Sequence, residues 1–227
     1  MCTNYAAARS DRLFRHFGVA PPSSPWRDEV YKDYPAPIIR RMSDAECADV
    51  ATFGMVPRKH IPPGVRVFDT MNARSETVGE KRSFNGAWKR QQLCLIPCEA
   101  FYEPNYESGK AVRWRINMAS GEPFAIAGLW REWDEGEADK ALSFTMLTVN
   151  SDEHPLMRRF HKPGDEKRSV VVLHQNDYEN WLGSRSMDEA RTFLNLYPSE
   201  LMQAEACPAP PRASKAKVDR PVDESAE

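Results

Sequence analysis

Short apolar runs crowd the second half of the chain, at positions 93–96, 100–103, 112–117, 124–130, 142–149 and 169–174, and each predicts a strand. Several are continuous rather than alternating, which fits strands buried on both faces. The first residues follow another period. Leu13, Phe14 and Phe17 stand at helical spacing, so an amphipathic helix is expected within residues 5–17, closed by Gly18. Pro21, Pro22, Pro25, Pro35 and Pro37 keep the following stretch extended, and Ser43 then reads as the cap of a brief helix ending at Val50. Late helices are expected at 176–182 and 187–194. These elements together predict an α+β fold around a central, curved, mostly antiparallel sheet. From residue 204 onward prolines, alanines and alternating charges replace aromatic and branched residues, which predicts a domain over 1–203 and a disordered tail over 204–227.

Composition narrows the class. The 227 residues, 41% hydrophobic and 10% aromatic, suffice for one substantial core, and a monomer is expected. No run of about 18 apolar residues is present for a membrane span, and polar Thr3 and Asn4 with Arg9, Asp11 and Arg12 leave no signal-peptide core, so a cytoplasmic protein without a membrane partner is expected. Five cysteines form an odd set, which favours reduced thiols over a disulfide framework. Net charge is −2, yet bases cluster: Arg58, Lys59, Arg66, Arg74, Lys81, Arg82, Lys89 and Arg90 in one segment, and Arg158, Arg159, Lys162, Lys167 and Arg168 around His161. If the two groups meet in space they form a cationic face suited to a polyanion; otherwise they are solvated charges on separate surfaces.

Several residues carry candidate chemistry. Cys2 follows an initiator Met1 whose removal would leave a terminal 1,2-aminothiol, with an amine near ~7.7–8.0 and a thiol near ~8.5, both able to deprotonate near neutrality. Residues 72–77 (Asn-Ala-Arg-Ser-Glu-Thr) are a polar segment that reads either as a binding turn or as an Asx-turn with a capping Glu76. Glu103 lies between Tyr102 and Pro104; if it shares a face with Phe101 it is drawn inward, where desolvation would raise its pKa and suit it to proton transfer, and otherwise it is an exposed strand-end carboxylate. Cys94 and Cys98 lack further ligands at metal-site spacing and read as core, so neither a metal nor another cofactor is expected. His154 and His161 bracket a segment between two strong strands, and either imidazole titrates in the useful range.

Taken together and in order, Met1-Cys2, residues 54–57 (Gly-Met-Val-Pro), residues 72–77, the run Cys94-Leu95-Ile96-Pro97 leading to Phe101-Tyr102-Glu103, and His161 ahead of residues 167–173 resemble the SRAP family, the SOS-response-associated peptidase-like proteins that crosslink to abasic sites in single-stranded DNA. The resemblance covers roughly residues 1–200. It implies a compact α+β unit with flanking helices around a barrel-like sheet, crossed by a basic channel. It further implies that Cys2 is the crosslinking nucleophile, that Asn72 and Glu103 position and protonate around its amine, that His161 rather than His154 shuttles a proton, and that the chain removes its own leading residue. Arg74, Arg82 and Thr148 match positions that grip DNA, and Arg168 joins them from the basic group around His161. The chain departs from the family at Asn4, where an arginine is usual, at Phe53, where a tryptophan is usual, and in a longer stretch after His161. Two other classes stay open: an N-terminal-nucleophile cysteine amidohydrolase or peptidase, and a non-covalent nucleic-acid-binding module in which Cys2 is incidental.

Overall fold

A computed structural model describes residues 2–43, 45–136 and 140–208. In chain order the elements are β1 (Asn4–Ala7), α1 (Ser10–Phe17), β2 (Glu29–Tyr31), β3 (Pro35–Met42), β4 (Ala45–Phe53), β5 (Asn72–Arg74), α2 (Asn85–Lys89), β6 (Leu93–Asn105), β7 (Val112–Met118), β8 (Phe124–Asp134), β9 (Lys140–Asn150), β10 (Arg168–Val170), β11 (Val172–Leu173), α3 (Tyr178–Leu182), α4 (Met187–Thr192) and β12 (Met202–Ala206). All strands belong to one twelve-stranded sheet. Within it, β3, β6, β8, β9 and β4 pair in a ring, which closes a barrel and removes those edges from solvent. Pairing is antiparallel except where β4 and β5 run parallel to β9. The fold class is therefore the expected one, an α+β unit around a mostly antiparallel barrel-like sheet.

Side-chain alternation explains how two cores share this sheet. On β6, Cys94, Ile96 and Cys98 join one cluster with Tyr5, Phe53 and Phe144, whereas Leu93 and Leu95 join a second cluster beneath Leu13, Trp88 and Trp181 of the helices. Trp181 also donates its indole N–H to the Cys94 carbonyl at 3.0 Å, tying α3 to the longest strand. Phe53 fills its place in the first cluster by stacking on Phe144 at 5.2 Å and meeting Tyr5 edge-on at 5.5 Å.

Three local expectations are corrected. Residues 5–17 divide: Gly18, at φ 71°, does close α1 through its N–H to Phe14 O, but the helix begins at Ser10 and the residues before it form β1. Pairing with the β6 edge satisfies backbone groups that a longer helix would leave exposed there. Ser43 caps no helix; at φ 55° it occupies the turn of the β3–β4 hairpin, where Met42 pairs with Ala45. The two short strands expected at 93–96 and 100–103 are one, β6. At the other end of the described chain β12 pairs with β7, Ala206 opposite Trp114. The expected tail beyond residue 208 lies outside the described residues.

The apparent gap in β6 has a structural meaning. Ala6 pairs with Ala100 but Ala7 with Cys98, so Glu99 is an extra residue, a bulge that shifts side-chain parity by one. Cys98 and Phe101 therefore face the same core, and Glu103 follows Phe101 inward. Pro97, with no N–H to give, lies next to this irregularity.

Barrel closure also requires a bare backbone at Gly128 of β8. A Cβ there would lie 2.6 Å from Ile96 Cδ1, 2.9 Å from Cys94 Sγ and 2.9 Å from the Thr145 carbonyl. Gly128→Ala is expected to destabilise the protein by about 1–3 kcal/mol or more, read from urea unfolding; an unchanged midpoint would show that β8 does not pack this closely.

Candidate active site

The β1–β6 register positions the cysteine. Tyr5 lies opposite Phe101 and Ala6 opposite Ala100, and continuing this pairing past Asn4 brings Cys2 alongside Pro104, at the end of β6. β7 occupies the other edge of β6 as far as Asn105. The edge that β1 leaves is taken by Phe160 and His161: Phe160 bridges Asn105, and the His161 N–H donates to Pro104 O at 2.9 Å. One strand end thus gathers Cys2, Glu103 and His161.

Cys2 is wholly buried, and its thiol donates to the Asn4 carbonyl at 3.2 Å. Burial pushes the thiol pKa well up, and the Glu103 charge beside it pushes in the same direction. The Cys2 carbonyl accepts a 2.7 Å bond from Asn72 Nδ2, while Asn72 Oδ1 is buried with no hydrogen-bond partner among the described residues. β5 delivers Asn72 by pairing with β9, Asn72 opposite Met146. Glu103 is 2% exposed, as expected had it shared a face with Phe101, and its Oε2 lies 3.1 Å from His161 Nε2.

His161 holds a left-handed φ of 66°, a conformation that costs a non-glycine residue about 1 kcal/mol or more. Its backbone is pinned on both sides: the N–H to Pro104, and the carbonyl to Lys167 Nζ at 3.2 Å. The ring is nearly buried, Nδ1 has no hydrogen-bond partner among the described residues, and it lines a cleft of about 720 Å³ with Tyr106, Arg158 and Lys167. His154 is differently placed. Its Nδ1 accepts from the Met157 N–H at 2.9 Å, and Nε2 lies 2.8 Å from Tyr197 O, so one nitrogen serves the local turn and the other ties it to the segment ahead of β12.

The remaining expected residues form a second group beside the first. Arg74 follows Asn72 by two along β5, opposite Thr148 of β9, and is half exposed. Thr148 and Arg168 are buried. Arg168 donates to Thr148 Oγ1 and O, to Glu76 at 2.8 Å and to Glu166 at 2.5 Å. Glu166 bonds Arg74 as well, at 2.6 Å. The two basic segments do meet, but Glu76 and Glu166 meet them, a neutralisation that counting bases missed. Arg82 is exposed in the turn before α2, and no described side-chain contact ties it to Cys2. Where an arginine is usual, Asn4 bonds Glu29 at 2.6 Å, and Glu29 is also held by Arg113, which stacks on Tyr102.

All five cysteines are unpaired, and no group of three or more His, Cys, Asp or Glu among the described residues is arranged to hold a metal ion. No helix among them is long and apolar enough to cross a membrane.

Barrel and site together define an α+β protein with a cysteine-centred polar site at one end of its longest strand. The family model described as SOS response associated peptidase (SRAP) matches residues 1–209, and the chain belongs to that family. Among curated proteins it is 29% identical to abasic site processing protein YoqW of Bacillus subtilis, over 60% of this chain and 59% of that protein. It is likewise 29% identical to abasic site processing protein YobE of the same organism, over 60% of each. The chain thus spans about three fifths of the length of the curated relatives it matches. A crystal structure of a Bordetella bronchiseptica protein superposes with a TM-score of 0.81 at 36% identity, over 92% of this chain and all of that one. A Bacteroides thetaiotaomicron protein shares the fold at 20% identity and TM-score 0.73, over 90% and 91%.

Cys2, Cys94 and Cys98 are all buried with thiol pKa values raised by that burial. The folded chain therefore keeps protons that an unfolded chain releases near ~8.5, so stability is fully present below that pH and declines as pH rises above it. Native-state alkylation at pH 8, followed by mass spectrometry, is expected to label half-buried Cys47 and Cys207 well before Cys2. Labelling of Cys2 at the rate found in denatured protein would contradict this burial.

Proposed function

We propose that this protein captures abasic sites in single-stranded DNA covalently through Cys2. The observation that carries the reading is the convergence on one strand end of a buried cysteine, an Asn72 amide bonded to its carbonyl, and a Glu103–His161 pair 3.1 Å apart. The names of the Bacillus relatives, abasic site processing proteins, support the abasic-site part of this reading.

Removal of Met1, which the reading attributes to the chain itself, exposes the Cys2 amine. An abasic sugar equilibrates between a closed hemiacetal and an open aldehyde, and only the aldehyde accepts an amine. His161 and Glu103 move the proton that opens the ring, and the unclaimed Asn72 Oδ1 accepts from the amine and aims its lone pair. Holding amine and C1′ about 3–3.5 Å apart makes the encounter intramolecular, an advantage that reaches ~7–11 kcal/mol in favourable cases. The amine adds to C1′ and water leaves, forming an imine. The Cys2 sulfur then bonds to C1′ while the thiol proton passes to nitrogen, which closes a thiazolidine. Without that closure, loss of a C2′ proton expels the 3′ phosphate and the strand breaks.

The raised thiol pKa bears on this order of events. A thiol kept protonated is a poor first nucleophile, which weighs against a cysteine amidohydrolase that needs a thiolate. It serves as a second nucleophile once the adjacent nitrogen has become part of an imine able to take its proton. Arg74 and Arg82 supply exposed charge for the backbone, and Arg168 and Thr148 act from within by bracing the β5–β9–β10 junction. Cytoplasmic action as a monomer completes the reading.

Intact mass after incubation with an abasic oligonucleotide is expected to show a heat-stable adduct of the Met1-free protein, equal to protein plus DNA minus one water. Cys2→Ala keeps an amine but no thiol, so strand cleavage is expected in place of the stable adduct. His161→Gln is expected to slow adduct formation roughly 10²–10⁴-fold. A Met1-free, folded protein that forms no adduct sinks the proposal.

A further inference from the structure

Glu166 stands in a stretch of residues 162–167 that connects His161 to β10 and turns at Gly164, φ 85°. Its carboxylate is fully engaged. One oxygen bonds Arg74 Nη1 at 2.6 Å; the other bonds Arg168 Nη1 at 2.5 Å and Asn150 Nδ2 at 3.2 Å. Arg168 would be charge-balanced without it, because Glu76 takes its other terminal nitrogen at 2.8 Å. Arg74 has no second carboxylate within ion-pair distance among the described residues, so Glu166 is its counter-charge. A carboxylate bridging two guanidiniums and an amide N–H presents oxygens as a phosphate diester would.

We propose that Glu166 is a built-in phosphate surrogate that determines which anions Arg74 accepts. The inference rests on the DNA reading above and deepens it by naming a specificity-determining residue for the same site. Glu166 sits on Arg74 in the free protein, and a phosphate reaches that guanidinium only by displacing it. An isolated phosphate exchanges one anion for another and gains little. A single-stranded polynucleotide brings neighbouring phosphates to other contacts, which offset the loss of the Glu166 bonds, so the site favours a continuous strand over free nucleotides. The same stretch carries Pro163 and Lys167 on the wall of the cleft that His161 lines, so Glu166 belongs to the segment that borders that cleft.

Binding of an undamaged single-stranded oligonucleotide, measured by fluorescence anisotropy at fixed salt, tests this in a double-mutant cycle. Glu166→Gln keeps the shape and removes the charge; it is expected to tighten binding about two- to fivefold, the range for a partly exposed ion pair. In an Arg74→Gln background the gain should vanish. Glu166→Gln should tighten binding of a deoxynucleoside monophosphate, which has no neighbouring phosphate contacts to fall back on, by a larger factor than it does the strand, narrowing the preference for the strand. No tightening, an equal gain in both backgrounds, or absence of DNA binding by every variant overturns the proposal. Should Glu166→Gln fail to fold by circular dichroism, Glu166→Asp withdraws the charge by one methylene and is read the same way. Adduct formation with abasic DNA in the same samples reports on Cys2 separately: coupling without adducts sinks the crosslinking reading alone, and adducts without coupling sink this one alone.

Discussion

Pairing of β1 with the bulged edge of β6 is the constraint on which the site depends. The ladder alone would carry the first residues along the barrel without saying which β6 side chain they meet. The extra residue at Glu99 decides that, because it shifts parity so that Phe101 and Glu103, rather than Tyr102, share the interior face with Cys98. Where β1 stops, the same edge accepts Phe160 and His161. A single strand end is thus read by two distant segments, and its carboxylate lies between them. Bulges commonly re-aim a side chain near a site, and this one turns a strand-end acid into a buried one.

Electrostatics around the site are arranged in pairs rather than as an open field. Glu103 has His161, and Arg168 has Glu76 and Glu166. Burying a guanidinium as deeply as Arg168 requires such partners, since removing either charge from water is costly unless its hydrogen bonds are replaced. What shows as a basic segment in one dimension becomes in three a cross-braced join between β5, β9 and β10 with a few exposed cations at its margin.

Much of this was legible in the chain. The apolar runs marked the later strands because each buried strand needs a row of large side chains, and Gly18 marked the end of α1 because only a left-handed residue stops a helix that way. Cys2, Asn72, Glu103 and His161 are legible as candidates in the sequence alone, and the fold brings them together. The misses share a cause. β1 and β4 lie in segments whose local signals, helical spacing at Leu13 and a capping serine at Ser43, were overruled by pairing with strands far along the chain. Nor could the bulge be read, since Glu99 looks like any polar residue between two apolar runs. Glu166 escaped because its meaning depends on Arg74, ninety-two positions earlier.

That separation has a consequence for when the site exists. Its residues stand at 2, 72, 103 and 161, on segments joined by the long-range pairings of β1 with β6, of β5 with β9 and of Phe160 with Asn105. Such long-range pairings form late, because loop closure precedes any reward from contact. A nascent chain therefore displays its leading cysteine long before it owns the acid and imidazole that flank it. Assembly of the Cys2, Asn72, Glu103 and His161 cluster is in this sense a product of the whole fold rather than of any one segment.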